Sequence, residues 1–100
     1  MKKEKLSGAL GLVRRAGGIT QGTTLVCEAI RGGKAALVLI AADTGPNTEK
    51  KVSALAQHRE VPVFRIVLTK AELARCIGKE NESVCISIPK EFKNLVLASL

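Results

Sequence analysis

The sequence predicts an α/β protein, a three-layer α/β/α sandwich around a small mixed four-stranded sheet. Three observations predict it. Amphipathic helical stretches alternate with short apolar ones along the whole chain. The run Ala35-Ala36-Leu37-Val38-Leu39-Ile40-Ala41-Ala42 is apolar without interruption, which a strand tolerates only when both faces of its sheet are covered. Glycine and proline fall at the boundaries, as helix ends and starts require.

The elements follow in order. Helix one spans about Lys3 to Ala16, with Leu6, Ala9, Leu10 and Val13 on one face, and Arg14 and Arg15 suit the negative end of its dipole. Gly17-Gly18 stops it, and Ile19 to Gln21 leaves room for only a short strand. Helix two, Thr23 to Arg31, is expected to bury Leu25, Val26, Ala29 and Ile30 before Gly32-Gly33. The central strand is Ala35 to Ala42. Pro46 after Gly45 opens helix three with Val52, Leu55 and Ala56 inward. Val63 to Leu68 reads as a strand. Thr69 with Glu72 makes a capping box for helix four, which Gly78 ends. Ser83 to Ile88 is the last strand, and Pro89 starts a C-terminal helix running through Ala98. With no repeat, linker or low-complexity tract, residues 1–100 are expected to form a single domain.

Composition narrows the function. The 100 residues carry 16 Lys and Arg against 9 acids, a net charge of +7. That excess points to nucleic acid or an acidic surface. No segment approaches the roughly 20 apolar residues of a membrane span, and the charged start lacks a signal peptide's apolar stretch. Three widely spaced cysteines, Cys27, Cys76 and Cys85, make neither a disulfide framework nor a zinc site, so a reducing cytoplasm is expected. The two aromatics, Phe64 and Phe92, are too few to supply stacking platforms for single-stranded RNA.

Catalysis finds little support. His58 is the lone histidine and lies in a polar stretch, read as a solvated helix end. Asp43, just past the central strand, is read as a polar residue bonding the turn into helix three. Glu80 and Glu82 read as solvated loop residues. No Gly-x-Gly-x-x-Gly or Walker pattern is present. Neither a catalytic residue nor a metal ligand nor a cofactor is therefore assigned.

The chemistry concentrates at Gly22-Thr23-Thr24. A helix start offers unpaired backbone N–H groups and the positive end of a dipole, a natural seat for phosphate. Arg14, Arg15, Arg31 and Lys34 are near in sequence. If the loop after helix four adjoins this corner, Arg15, Arg31, Lys34, Lys70, Arg75 and Lys79 rim one surface.

At these residues the chain resembles a known family. Leu10-Gly11-Leu12-Val13-Arg14-Arg15-Ala16-Gly17, Gly22-Thr23, Ala29-Ile30-Arg31, Lys34 to Ala41, Asp43 with Asn47-Thr48, and Ala71-Glu72-Leu73 through Ile77-Gly78-Lys79-Glu80 look like the L7Ae/L30e ribosomal protein family. The likeness covers nearly the whole chain and is closest to a small bacterial branch often encoded among translation-factor genes. It implies an α/β/α sandwich that binds kink-turn RNA. In the family a Gly-x-Asn-Glu-x-x-Lys motif opens the second helix, and the loop after the fourth helix meets bulged nucleotides. Gly22 matches the glycine; Thr24, Leu25 and Glu28 stand where the family has Asn, Glu and Lys. The last change puts a carboxylate where the family has an ammonium.

The expectation is a non-enzymatic RNA-binding protein, ribosomal or ribosome-associated, cytoplasmic and monomeric when free. Its partner is structured RNA, ribosomal or another kink-turn RNA. Gly22, Thr23 and Thr24 present the helix terminus, Arg15, Arg31 and Lys34 contact phosphates, and Ile77, Gly78 and Lys79 form the second contact loop. The alternatives are a protein–protein module on the same fold and a small enzyme using Asp43 and His58.

Overall fold

The computed structural model describes residues 2–100. Ten elements follow the expected order: α1 (Lys2–Arg15), β1 (Thr20–Gln21), α2 (Thr23–Arg31), β2 (Leu37–Ile40), α3 (Pro46–His58), β3 (Val63–Arg65), α4 (Lys70–Cys76), β4 (Cys85–Ile88), a 3₁₀ turn (Lys90–Phe92) and α5 (Lys93–Leu97).

The sheet order is β1-β4-β2-β3. β4 runs antiparallel to both β1 and β2, whereas β3 is parallel to β2, so the sheet is mixed. The uninterrupted apolar character of β2 has the expected cause: its alternate side chains enter two separate cores. Leu37 and Leu39 join Leu6, Leu10 and Val13 of α1, Leu73 of α4 and Val96 of α5. Val38 and Ile40 pack with Val26, Cys27 and Ile30 of α2 and Val52 and Ala56 of α3. Helices thus cover both faces, and the three layers follow from the strand's period of two.

Five expectations change, the first being that the last strand begins at Cys85 rather than Ser83. β2 is shorter than Ala35–Ala42: Ala36 and Ala41 N–H still reach Ile88 O and Val84 O, but at the outer ends Ala35 N–H donates to Ala29 O at 3.2 Å, closing α2, and Ala42 N–H donates to Leu68 O at 2.8 Å. β3 leaves the ladder after Arg65; Ile66 and Leu68 turn into the α1-side core while Val67 stays exposed. The C-terminal helix is broken, since Phe92 N–H bonds back to Pro89 O in a 3₁₀ turn and Phe92 takes φ −112° before α5 begins. α2 buries Val26, Cys27 and Ile30, and Leu25 is 53% exposed. Residue 25 lies about 100° around the helix from 26, off the seam facing the sheet.

Candidate nucleic-acid interface

α2 starts open. Gly22 precedes it with φ 91° and ψ 149°, a conformation that strongly favours glycine, and no side chain caps the helix. The first helical hydrogen bond is Val26 N–H to Gly22 O at 2.9 Å, so the amides of Thr23, Thr24 and Leu25 lie ahead of it. α4 begins quite differently. Thr69 accepts from Glu72 N–H at 3.2 Å, and Glu72 accepts from Thr69 N–H at 2.9 Å, completing the expected capping box. Asp43 Oδ1 also accepts from Lys70 N–H at 2.7 Å. The aspartate therefore secures α4, not the turn into α3 that the sequence suggests, because the end of β2 faces α4 in space.

The α2 start is tied to the segment after α4. Gly22 N–H donates to Cys85 O at 3.0 Å, and the Ser83 hydroxyl bonds Gln21 Oε1 at 3.2 Å. Arg14, Ile19, Gln21, Gly78 and Lys79 line one shallow groove of about 260 Å³ between β1 and the α4–β4 loop. The loop begins in a tight cap: Gly78 N–H bonds Arg75 O at 3.2 Å, and Lys79 N–H bonds Ala74 O at 2.8 Å, with Gly78 at φ 73°.

The two threonines face different surroundings. Thr24 is exposed, as are Leu25 and Glu28. Thr23 is half-buried. Burial and the neighbouring Cys27 push the Cys85 thiol up to about 11, and the Thr23 hydroxyl bonded to it pulls the other way. Thr24 is thus the freer hydroxyl of the pair. Among the loop residues, Ile77 is only 5% exposed and packs in the α1-side core, leaving Gly78 and Lys79 outward.

The basic residues separate. Arg31 closes the far end of α2, a rise of about 12–14 Å from Gly22 at 1.5 Å per residue, and its carbonyl accepts from Arg59 Nη1 at 3.2 Å. Lys34 lines a second groove with Gly17, Thr20, Ser87 and Phe92. Gly17 lines both grooves. Arg15 lies back along α1, with Nη2 3.8 Å from the position of a Cβ on Gly11. Lys70 approaches Glu82 at 3.9 Å, and Arg75 lines the α1–α4 groove with Lys3, Ser7 and Glu72. Arg14, which the sequence gives no reason to prefer over Arg15, is the arginine that meets the Gly78 loop. The two lie about 100° apart around α1, and the loop is on the side of Arg14.

No cluster of three His, Cys, Asp or Glu side chains suited to a metal occurs among the described residues. His58 ends α3 and is exposed. Among the described residues, no helix is long and apolar enough to cross a membrane.

This arrangement defines an α/β/α sandwich that presents an uncapped helix start beside a glycine-closed loop. The chain belongs to the Ribosomal protein L7Ae/L30e/S12e/Gadd45 family, whose pattern matches residues 4–97. It is 37% identical over 91 residues to the RNA-binding protein YlxQ of Bacillus subtilis, covering 91% of this chain and 90% of that one. The RNA-binding protein YlxQ of Enterococcus faecium is 38% identical over 77 residues, 77% of this chain and 74% of its relative. Among solved structures, a protein with unknown function from Bacillus halodurans superposes with a TM-score of 0.86 at 31% identity, covering 95% of this chain and 94% of that one. The Giardia lamblia 15.5kD RNA binding protein gives 0.81 at 22% identity, over 98% and 83% of the two chains, a likeness of fold.

Proposed function

We propose that this chain is a non-catalytic, cytoplasmic RNA-binding protein, acting as one domain and monomeric when free, in or beside the ribosome. It binds structured, kink-turn-like RNA through the N-terminus of α2 (Gly22, Thr23 and Thr24) and the α4–β4 loop (Gly78 and Lys79, with Ile77 anchoring the loop from below). One observation supports the reading: Gln21, which leads into the uncapped start of α2, lines one groove with Gly78 and Lys79 of the α4–β4 loop. The relatives named as RNA-binding proteins and the net charge of +7 support RNA as the ligand. Backbone amides at a helix start accept phosphate without aromatic stacking.

The departures at Thr24, Leu25 and Glu28 lie on exposed positions, so their cost falls on recognition rather than folding. Thr24 retains one hydroxyl, Leu25 offers no polar atom, and Glu28 repels phosphate. The reading is tested by titrating a kink-turn hairpin and a plain duplex into the wild type and the triple variant Thr24→Asn, Leu25→Glu, Glu28→Lys. The wild type should prefer the hairpin modestly. The variant should widen that preference, with each restored base contact contributing about 1–3 kcal/mol. An unchanged preference in the variant would exclude this corner from the interface. No wild-type binding at low salt would overturn the RNA reading in favour of a protein–protein module.

A further inference from the structure

Two consecutive arginines end α1, and their side chains diverge. Arg15 folds back toward Gly11, whereas Arg14 crosses to the α4–β4 loop. A Cβ placed on Gly78 would lie 2.5 Å from both Cζ and Nη2 of Arg14 and 2.7 Å from its Nε. Three atoms of the planar group at nearly equal distance mean that the guanidinium lies across the glycine rather than meeting it end-on. The approach is possible only because position 78 has no side chain.

Arg14 is exposed, and none of the ion pairs among the described residues involves it. Of the loop's acids, Glu82 faces Lys70 and Glu80 is exposed; neither lines the groove that Arg14 overlooks. That groove has no carboxylate residue in its walls, and Lys79 lines it together with Arg14. Gln21 uses its Oε1 on Ser83, which leaves its amide NH₂ as a donor. A guanidinium, an ammonium and an amide donor around one open groove match a phosphodiester, which offers only acceptors.

We propose that Arg14 is a phosphate-binding residue of the RNA interface, its guanidinium lying over Gly78 so that Arg14 and Lys79 share one backbone phosphate. The proposal rests on the RNA-binding reading above. A planar fork lying over a glycine can turn its N–H edge to an acceptor in the groove. Lysine at position 14 would keep the charge and lose the fork.

The test titrates a kink-turn hairpin and a plain duplex against wild type, Arg14→Ala, Arg14→Lys and, as a control of equal charge change on the exposed first half of α1, Lys5→Ala. Thermal unfolding is followed for each. Arg14→Ala should weaken both RNAs about tenfold and make the salt slope shallower by up to about 0.9, since Lys79 still faces the shared phosphate. Arg14→Lys should keep the wild-type slope but bind at least about threefold more weakly, the loss of bidentate geometry. Lys5→Ala should stay within about twofold of wild type. An equal loss in Lys5→Ala would reduce the effect to summed charge and overturn the proposal. So would wild-type affinity and slope in Arg14→Ala, or a weakened Arg14→Ala with lowered melting temperature and unchanged slope, the mark of a structural brace. Absence of binding by the wild type would instead overturn the RNA reading.

Discussion

Replacing Gly78 by alanine probes the loop through its backbone. The residue sits at φ 73°, where an L side chain costs about 1–2 kcal/mol. Alanine also restricts the unfolded chain, which returns about 0.4–1 kcal/mol. The new Cβ falls 2.5 Å from the Arg14 guanidinium, but that group is the far end of an exposed, flexible side chain and can swing away. The net destabilisation is therefore about 1 kcal/mol, and for a domain of this size the melting temperature should fall by about 4–8 °C. Gly33→Ala is the matched control: Gly33 has φ 72° in the same kind of cap, at the end of α2 away from the Gly78 loop, with nothing within 4 Å of a new Cβ. Both variants should lose similar stability by thermal and urea unfolding. Gly78→Ala alone should lose affinity for a kink-turn hairpin, because it displaces Arg14 as well as straining the loop. Wild-type stability in Gly78→Ala would refute the backbone argument. Equal hairpin affinity in the two variants would refute the placement of the loop at the interface.

Two further predictions concern titratable groups. Backbone and side-chain hydrogen bonds from Thr69, together with Lys3 at 3.1 Å, hold the Glu72 carboxyl below its ordinary 4.5. A depressed carboxyl stabilises the fold above that value and loses its contribution as pH falls through the lowered one. The difference in melting temperature between wild type and Glu72→Gln should thus shrink as pH drops below 4.5, and a difference constant from pH 7 to pH 3 would contradict the capping-box origin. Cys85, buried and raised to about 11, should resist iodoacetamide at pH 8 in the native protein while half-buried Cys76 reacts. Equal labelling rates, measured by mass spectrometry of the digested protein, would show that the α2–β4 contact opens readily.

Much of this architecture is legible because its signals are local. The capping box at Thr69 and Glu72, Pro46 at the start of α3 and the glycines after α1, α2 and α4 each act within a few residues of themselves, and all fall where expected. The two-sided burial of β2 is equally readable, since an uninterrupted apolar strand has no other home. What depends on distant partners is not readable. Asp43 looks like a turn residue until the fold brings Lys70 N–H within 2.7 Å. Leu25 looks apolar and hence buried, yet the seam of α2 runs through Val26, Cys27 and Ile30. Arg14 and Arg15 lie about 100° apart around α1, and only the fold reveals that the Gly78 loop sits on the side of Arg14. The expected basic rim disperses for the same reason: proximity in sequence sets Arg31 beside Gly22 in a list, whereas nine helical residues carry it to the other end of α2.

The central claim, that the start of α2 and the α4–β4 loop form one RNA-binding surface, is tested most directly by following backbone amide resonances of the labelled protein during titration with a kink-turn hairpin. The largest shifts should gather at Thr23, Thr24, Leu25, Gly78 and Lys79, while the β3 edge around Phe64 and Val67 stays unchanged. Shifts gathered at Phe64, Val67 and Leu100, with the α2 start silent, would contradict it.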